Sequence, residues 1–218
     1  MIDDRMESGL VVVGAGGHAR VVLEAIRAGG IFRVIGLVDP APAAPTLLGV
    51  PVLGDDAILP VLRRDGVGVA VVALGSNTLR ERIGRRLREL GFALPAIIHP
   101  SALLSPSAST GEGVVVMARA VIGTQTAIGD LAIINTGAVV DHDNRIGIAA
   151  HIAPGCALAG DVHVGDRTLI GVGSAVRPGI RIGADAVIGA GAAVVADVAD
   201  GAVVVGTPAR RLRFRGGA

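Results

Sequence analysis

An α/β domain on a small parallel sheet, followed by an all-β coil of short parallel strands, is the fold class the sequence predicts. Three observations predict it: strand-like and helix-like apolar patterns alternate over residues 10–95, a six-residue aliphatic period takes over from residue 97, and 33 glycines accompany only 1% aromatics. Alternating patterns of the first kind belong to a parallel sheet with helices packed on it. A helix repeats at 3.6 and a strand at 2, so a sustained period of six requires a three-sided coil. With no Trp or Tyr, the core has to be made of Val, Ile, Leu and Ala around tight bends. The two domains are therefore 1–96 and 97–218.

In the first domain, residues 10–13 (LVVV) form a buried strand, residues 14–17 a glycine turn, and residues 19–28 a helix stopped by Gly29 and Gly30. A second strand, 34–38, ends at Asp39. Residues 40–51 are a Pro-rich loop, 55–64 a helix and 67–74 a third buried strand. The helix 78–90 follows, with Arg80, Arg82, Arg85, Arg86 and Arg88 expected on its solvated faces.

In the second domain, steps of six from Val116 land on Ile122, Ile128, Ile134, Val140, Ile146, Ile152, Leu158, Val164, Ile170, Val176, Ile182, Ile188 and Val194 without an insertion. A glycine follows many of them, where the chain turns a corner that a Cβ would crowd. Mostly small residues stand two places before each, so large and small side chains alternate in a narrow interior. Three hexapeptides per turn give about five stacked coils, each buried only against its neighbours. Residues 200–215 are expected to cap the end.

A formal charge of +1 with no aromatic stacking residues leaves no footprint for nucleic acid. Mean hydropathy is +0.64, yet Gly, Pro and charges break every apolar run short of the roughly 20 residues a spanning helix needs. The opening MIDDRMES has no apolar stretch of a secretory leader, and the lone Cys156 has no disulfide partner. A cytoplasmic protein is expected.

Two segments carry chemistry. Residues 141–144 read Asp-His-Asp-Asn, with His142 two places beyond the interior Val140 and so facing outward. Its stacked neighbours, 18 residues away on either side, are Thr124 and Gly160, small residues that leave a notch beside the ring. A histidine titrating near neutrality suits general base catalysis, and Asp141 or Asp143 is placed to orient it. The same four residues are also compatible with a plain solvated turn. Asn144 falls at an interior position, where an amide needs partners. In the first domain, Gly14-Ala15-Gly16-Gly17-His18-Ala19 follows a strand and opens a helix, whose N-terminal N–H groups can meet a phosphate. With Asp39 closing the next strand, the segment also fits a dinucleotide fingerprint.

The stretches VVVGAGGHARVV (11–22), HPSA (99–102), INTGAVVDHD (134–143) and GTPARRLR (206–213) identify a resemblance. The second half resembles the hexapeptide acyltransferases, and residues 10–213 together resemble the nucleotide-4-amino-sugar N-acetyltransferases, of the bacillosamine-pathway and perosamine type, with sialic acid O-acetyltransferases as relatives. The resemblance implies a Rossmann-like nucleotide-sugar-binding domain, a left-handed parallel β-helix, a homotrimer with sites between subunits, and acetyl-CoA as cosubstrate, with no metal. It implies His142 as base and Asp143 as its orienting acid. It places Gly16, Gly17, His18, Asp39, Gly75, Ser76, Asn77 and Asn135 around the nucleotide sugar, and His151, Gly160, Val172 and Ala190 around the acetyl-CoA arm. The N–H of Gly160 is suited to a developing oxyanion. Ala190 stands where glycine is expected, and Val38-Asp39-Pro40 lacks the paired acids of uridine-binding members, which leaves guanine open. Acetylation of a sugar hydroxyl, or a non-catalytic scaffold sensing NAD, are the alternative readings. Cys156, at an interior small position, reads as core.

Overall fold

The computed structural model describes residues 9–212. Strand β1 (Leu10–Val13) leads into α1 (Gly17–Gly29), which presents Ala19, Val22, Leu23, Ala25 and Ile26 to the sheet and ends where Gly30 enters the left-handed region at φ 66°. After β2 (Val34–Val38) the chain departs from expectation. The segment expected to be a Pro-rich loop holds a hairpin, β3 (Thr46–Leu47) and β4 (Val50–Gly54), turned through Leu48 and Gly49, both at positive φ. A 3-10 turn (Asp56–Ile58) and the short α2 (Leu59–Arg64) replace the single helix expected over 55–64. Next come β5 (Val69–Val72) and α3 (Asn77–Glu89), and the sheet order is β3-β4-β2-β1-β5.

From Ile97 onward the chain winds through three parallel ladders. The first face stacks Ile97–Ile98, Val115–Val116, Ile133–Ile134, His151–Ile152, Leu169–Ile170, Val187–Ile188 and Val203–Val205. The second stacks Leu103–Leu104 through Val121–Ile122, Val139–Val140, Ala157–Leu158 and Ala175–Val176 to Ala193–Val194; the third runs from Ser109–Thr110 to Arg181–Ile182. Partners lie 18 residues apart, as Val139 with Val121 and Ala157. The last coil is two residues shorter, pairing Val187 with Val203. Arg210–Arg211 then returns antiparallel to Val203–Val205, the described part of the expected cap; residues 213–215 lie outside the described residues.

The aliphatic steps and the small residues before them form one continuous buried core. Corner packing explains the glycines: a Cβ on Gly165 would lie 2.4 Å from the Ala184 nitrogen, and one on Gly171 2.5 Å from the Ile188 carbonyl. The buried polar side chains of the coil, Thr126, Asn144, Thr168 and Ser174, are all partnered. The Asn144 amide donates to the carbonyls of Asp141, His142 and Ala159 and accepts from the N–H of Val162, as its position requires. Cys156 is buried in this core, its thiol pushed up by burial.

The N-terminal domain sits on the first face. Val115 and Ile133 pack beneath α1 and the sheet, while Leu131 and Ala149 join the cluster on the sheet's other side. Helix α3 is bolted along the neighbouring edge. Arg88 reaches Glu112 at 2.9 Å and Asp130 at 2.6 Å, and Arg167 is held by Glu81 at 3.1 Å and by both carboxylate oxygens of Asp185. Arg80 corrects the reading of this helix: it is completely buried, because it shares the face of Ile83, Gly84 and Leu87 that turns inward. No described helix is long and apolar enough to cross a membrane.

Candidate active site

The expected site residues fall into two groups on different edges of the prism. His142 occupies the edge between the second and third faces, outward and more than half exposed. Its Nδ1 lies 2.8 Å from Asp143 Oδ2. Asp143 takes φ 58°, the left-handed position of the corner turn, which swings its carboxylate back toward the preceding ring. That hydrogen bond, together with the charges of Asp141 and Asp161, raises the His142 pKa above its ordinary value. The ring lies against Gly160: a Cβ there would sit 2.3 Å from Cε1 and 2.5 Å from Nε2. Only glycine leaves room for the imidazole. The Gly160 N–H forms no hydrogen bond among the described residues, so a donor remains open beside the ring.

The second group lies on the first face and on the edge it shares with the second. Gly16 and Gly17 are exposed at the N-terminus of α1, which has no side-chain cap, and so offer bare N–H groups. Asp39 is braced to this loop, accepting from the Ala15 N–H at 2.7 Å and the Ala41 N–H at 2.9 Å. Its oxygens therefore shape the glycine turn before they meet any ligand. Below the turn, His18 and His151 face each other with ring centroids 6.5 Å apart. Asn135 donates its amide N–H to His151 Nε2 at 3.0 Å and accepts from the Thr136 N–H. His151, expected along the acetyl-CoA arm, thus also belongs to the Asn135 side. Both imidazoles are pushed down to about 4, first by burial and then by the Arg80 charge, so they are neutral at physiological pH. His18 Nε2 is buried without a partner among the described residues.

A groove of about 600 Å³ joins the two expected ligand zones: Gly75, Ser76 and Asn77 form one wall, His151, Pro154 and Val172 the other. Val172 and Ala190 stack on one corner, both exposed. Ser76 caps α3, accepting from the Leu79 N–H at 3.4 Å. Asn77 is more committed than the sequence implied, since its Nδ2 donates to the Arg167 carbonyl and its Oδ1 accepts from Arg80. A smaller cavity of about 150 Å³ opens at the ends of β1, β2 and β5, between Gly14, Asp39, Asp56, Leu74 and Arg82. Ligands of open α/β sheets bind at this edge. No group of three or more potential metal ligands occurs among the described residues.

A nucleotide-type pocket joined to a hexapeptide coil bearing a free, acid-oriented histidine defines a group-transfer enzyme of the hexapeptide acyltransferase class. Residues 9–87 match the PglD N-terminal domain, and 161–196 match the hexapeptide repeat of succinyl-transferase. PerB from Caulobacter crescentus, solved with CoA and GDP-perosamine, is 52% identical with a TM-score of 0.91, over 95% of this chain and 98% of that one. The acetyltransferase domain of PglB from Neisseria gonorrhoeae FA1090, in complex with acetyl coenzyme A, is 40% identical with a TM-score of 0.90, over 94% and 98%. The UDP-N-acetylbacillosamine N-acetyltransferase of Bacillus subtilis (strain 168) is 38% identical over 112 residues, and this chain spans about half the length of that curated relative. The chain belongs to the family of nucleotide-amino-sugar N-acetyltransferases with a left-handed parallel β-helix.

Proposed function

We propose that the protein transfers the acetyl group of acetyl-CoA to the 4-amino group of a nucleotide-linked dideoxy sugar, a GDP-linked perosamine-like sugar before a UDP-linked one. The observation that carries this is the open His142–Asp143 pair lying over Gly160. The neutral amine attacks the thioester carbonyl, and His142 Nε2 takes the proton released as the C–N bond forms. The Gly160 N–H is free to donate to the oxyanion. Collapse of the tetrahedral intermediate breaks the C–S bond, and the imidazolium returns its proton to the leaving CoA sulfur. Asp143 keeps Nδ1 protonated so that Nε2 faces the amine.

The nucleotide half-site is the N-terminus of α1 with His18, Asn135 and the 75–77 loop, and the cavity beside Asp39 and Arg82 takes the base. The missing second acid after β2 and the 52% identity to PerB favour guanine. Within one chain the two half-sites are separated by the whole second face, a span of roughly 20 Å for its six residues. The outer side of that face is a flat apolar stripe of Leu103, Val121, Val139, Ala157, Ala175 and Ala193. Packing it around a threefold axis brings the His142 edge of one copy to the Asn135–Val172 edge of the next, and pantetheine lies along the seam. A homotrimer with three shared sites follows.

The test is thiol release from acetyl-CoA with GDP-, UDP- and dTDP-linked 4-amino sugars. The GDP sugar should give the highest kcat/KM, and His142→Ala should lower turnover about 10²–10⁴-fold while nucleotide-sugar binding persists. Near-normal turnover by that variant removes the mechanism.

A further inference from the structure

Arg80 is a fully buried cation with no anionic partner among the described residues. It heads the fully buried side chains by volume, and its acceptors come from both domains. Nε donates to the Leu131 carbonyl at 2.8 Å, Nη1 to the Leu74 carbonyl at 2.9 Å, and Nη2 to the Ala149 carbonyl at 2.7 Å and Asn77 Oδ1 at 2.9 Å. Longer contacts of 3.4 Å reach the carbonyls of Gly75 and Ala150. All are neutral oxygens. The carboxylates of the packed elements are engaged elsewhere: Glu81 and Asp185 with Arg167, and Asp39 with the amides of Ala15 and Ala41.

A buried charge is expensive, and a neutral side chain of similar size would tie two domains together at lower cost. Keeping a guanidinium here leaves a net positive charge in a low-dielectric position. Its acceptors include the carbonyl of Gly75 in one wall of the groove and of Leu74 just before it, and the carbonyls of the buried Ala149 and Ala150, which precede His151 of the other wall. We propose that Arg80 is a positioning residue of the nucleotide-sugar half-site, a carbonyl-caged cation that aligns the 74–77 loop with the coil at His151 and draws the anionic diphosphate toward the N-terminus of α1. This rests on the nucleotide-sugar reading above.

The same charge faces His18 from α1 and His151 from the first face, and it opposes protonation of both, after burial. Neutral rings keep His151 Nε2 an acceptor for Asn135 and leave His18 Nε2 free for a ligand. Arg80 itself is pushed down to about 10 by burial, still charged at neutral pH.

The experiment compares the full-length wild type with Arg80→Gln and Arg80→Lys by three measurements. These are NMR titration of the imidazole Cε1 signals from pH 4.5 to 8, calorimetry with GDP, and separate KM values for nucleotide sugar and acetyl-CoA. In the wild type, His18 and His151 should stay neutral down to about pH 5. Arg80→Gln should move both midpoints upward and raise the nucleotide-sugar KM about tenfold, with the acetyl-CoA KM within about twofold. Arg80→Lys, which keeps the charge, should hold the midpoints low and restore part of the sugar affinity. An unchanged sugar KM or unchanged midpoints in a folded Arg80→Gln overturns the proposal. Should neither variant fold, titration of either ring near its ordinary value of 6.5 in the wild type overturns it. Absence of GDP and nucleotide-sugar binding in the wild type would instead remove the substrate reading, while the shift of the imidazole midpoints between wild type and Arg80→Gln still judges the charge of Arg80.

Discussion

Gly160→Ala separates catalytic geometry from stability. The new Cβ would lie 2.3 Å from His142 Cε1, 2.5 Å from Nε2 and 3.0 Å from Nδ1, where ordinary contact begins at 3.4 Å. The imidazole must therefore retreat from residue 160 and its open N–H by about 1 Å. Displacing a catalytic group by about 1 Å costs roughly 10²-fold in rate, or close to 3 kcal/mol in the barrier. Fold stability has no comparable reason to change. Residue 160 does not use the left-handed backbone region, and the atoms that yield belong to an exposed side chain. Alanine also keeps the backbone N–H, so the loss reports on the ring alone. Steady-state thiol release paired with a thermal melt should show turnover about 100-fold lower and a Tm within about 2 °C of wild type. Combined with His142→Ala, the substitution should add nothing further. Turnover within threefold of wild type for Gly160→Ala would refute the claim that this notch positions the base.

Two further outcomes follow from the same geometry. Because a base must be neutral to act, kcat/KM should climb with pH through the raised His142 pKa; Asp143→Asn removes the leading cause of that rise, so the midpoint should fall toward 6.5 and the plateau drop at least about 10²-fold. A pH–rate profile with an unmoved midpoint would contradict the assigned role of Asp143. Because the half-sites lie on different edges, mixed trimers of equal His142→Ala and Asn135→Ala chains should recover about a quarter of wild-type activity. Failure to exceed either variant alone would place both groups in one chain's site.

The coil was legible because its spacing is local and rigid. An 18-residue rise puts residue 160 over residue 142 whatever else the chain does, so the outward ring, its glycine neighbour and the inward Asn144 could all be counted out beforehand. Asp143 was assigned from family likeness, and its positive φ supplies the physical reason that residue 143 rather than 141 reaches Nδ1. The hairpin over 46–54 was hidden because prolines at 40, 42, 45 and 51 outweighed the short apolar runs between them. Arg80 had a readable signal that was missed: it precedes Ile83, Gly84 and Leu87 by three, four and seven residues, one face of a helix. What spacing within either domain could not supply is the meeting of His18 with His151, or the commitment of Asn77 to Arg167. Those contacts depend on how the sheet docks on the coil, a relation between segments as distant in sequence as residues 18 and 151.

The antiparallel return of Arg210–Arg211 along Val203–Val205 also bears on solubility. A parallel coil of identical rungs has, at its open rim, unpaired amides and carbonyls in the register a second molecule would need to continue the stack. Here that rim is occupied by a strand running the wrong way and carrying two guanidinium groups, with the final rung already cut short by two residues. A second coil stacking on this rim would meet a strand of the wrong direction and like charge, which opposes end-to-end filament growth on this face.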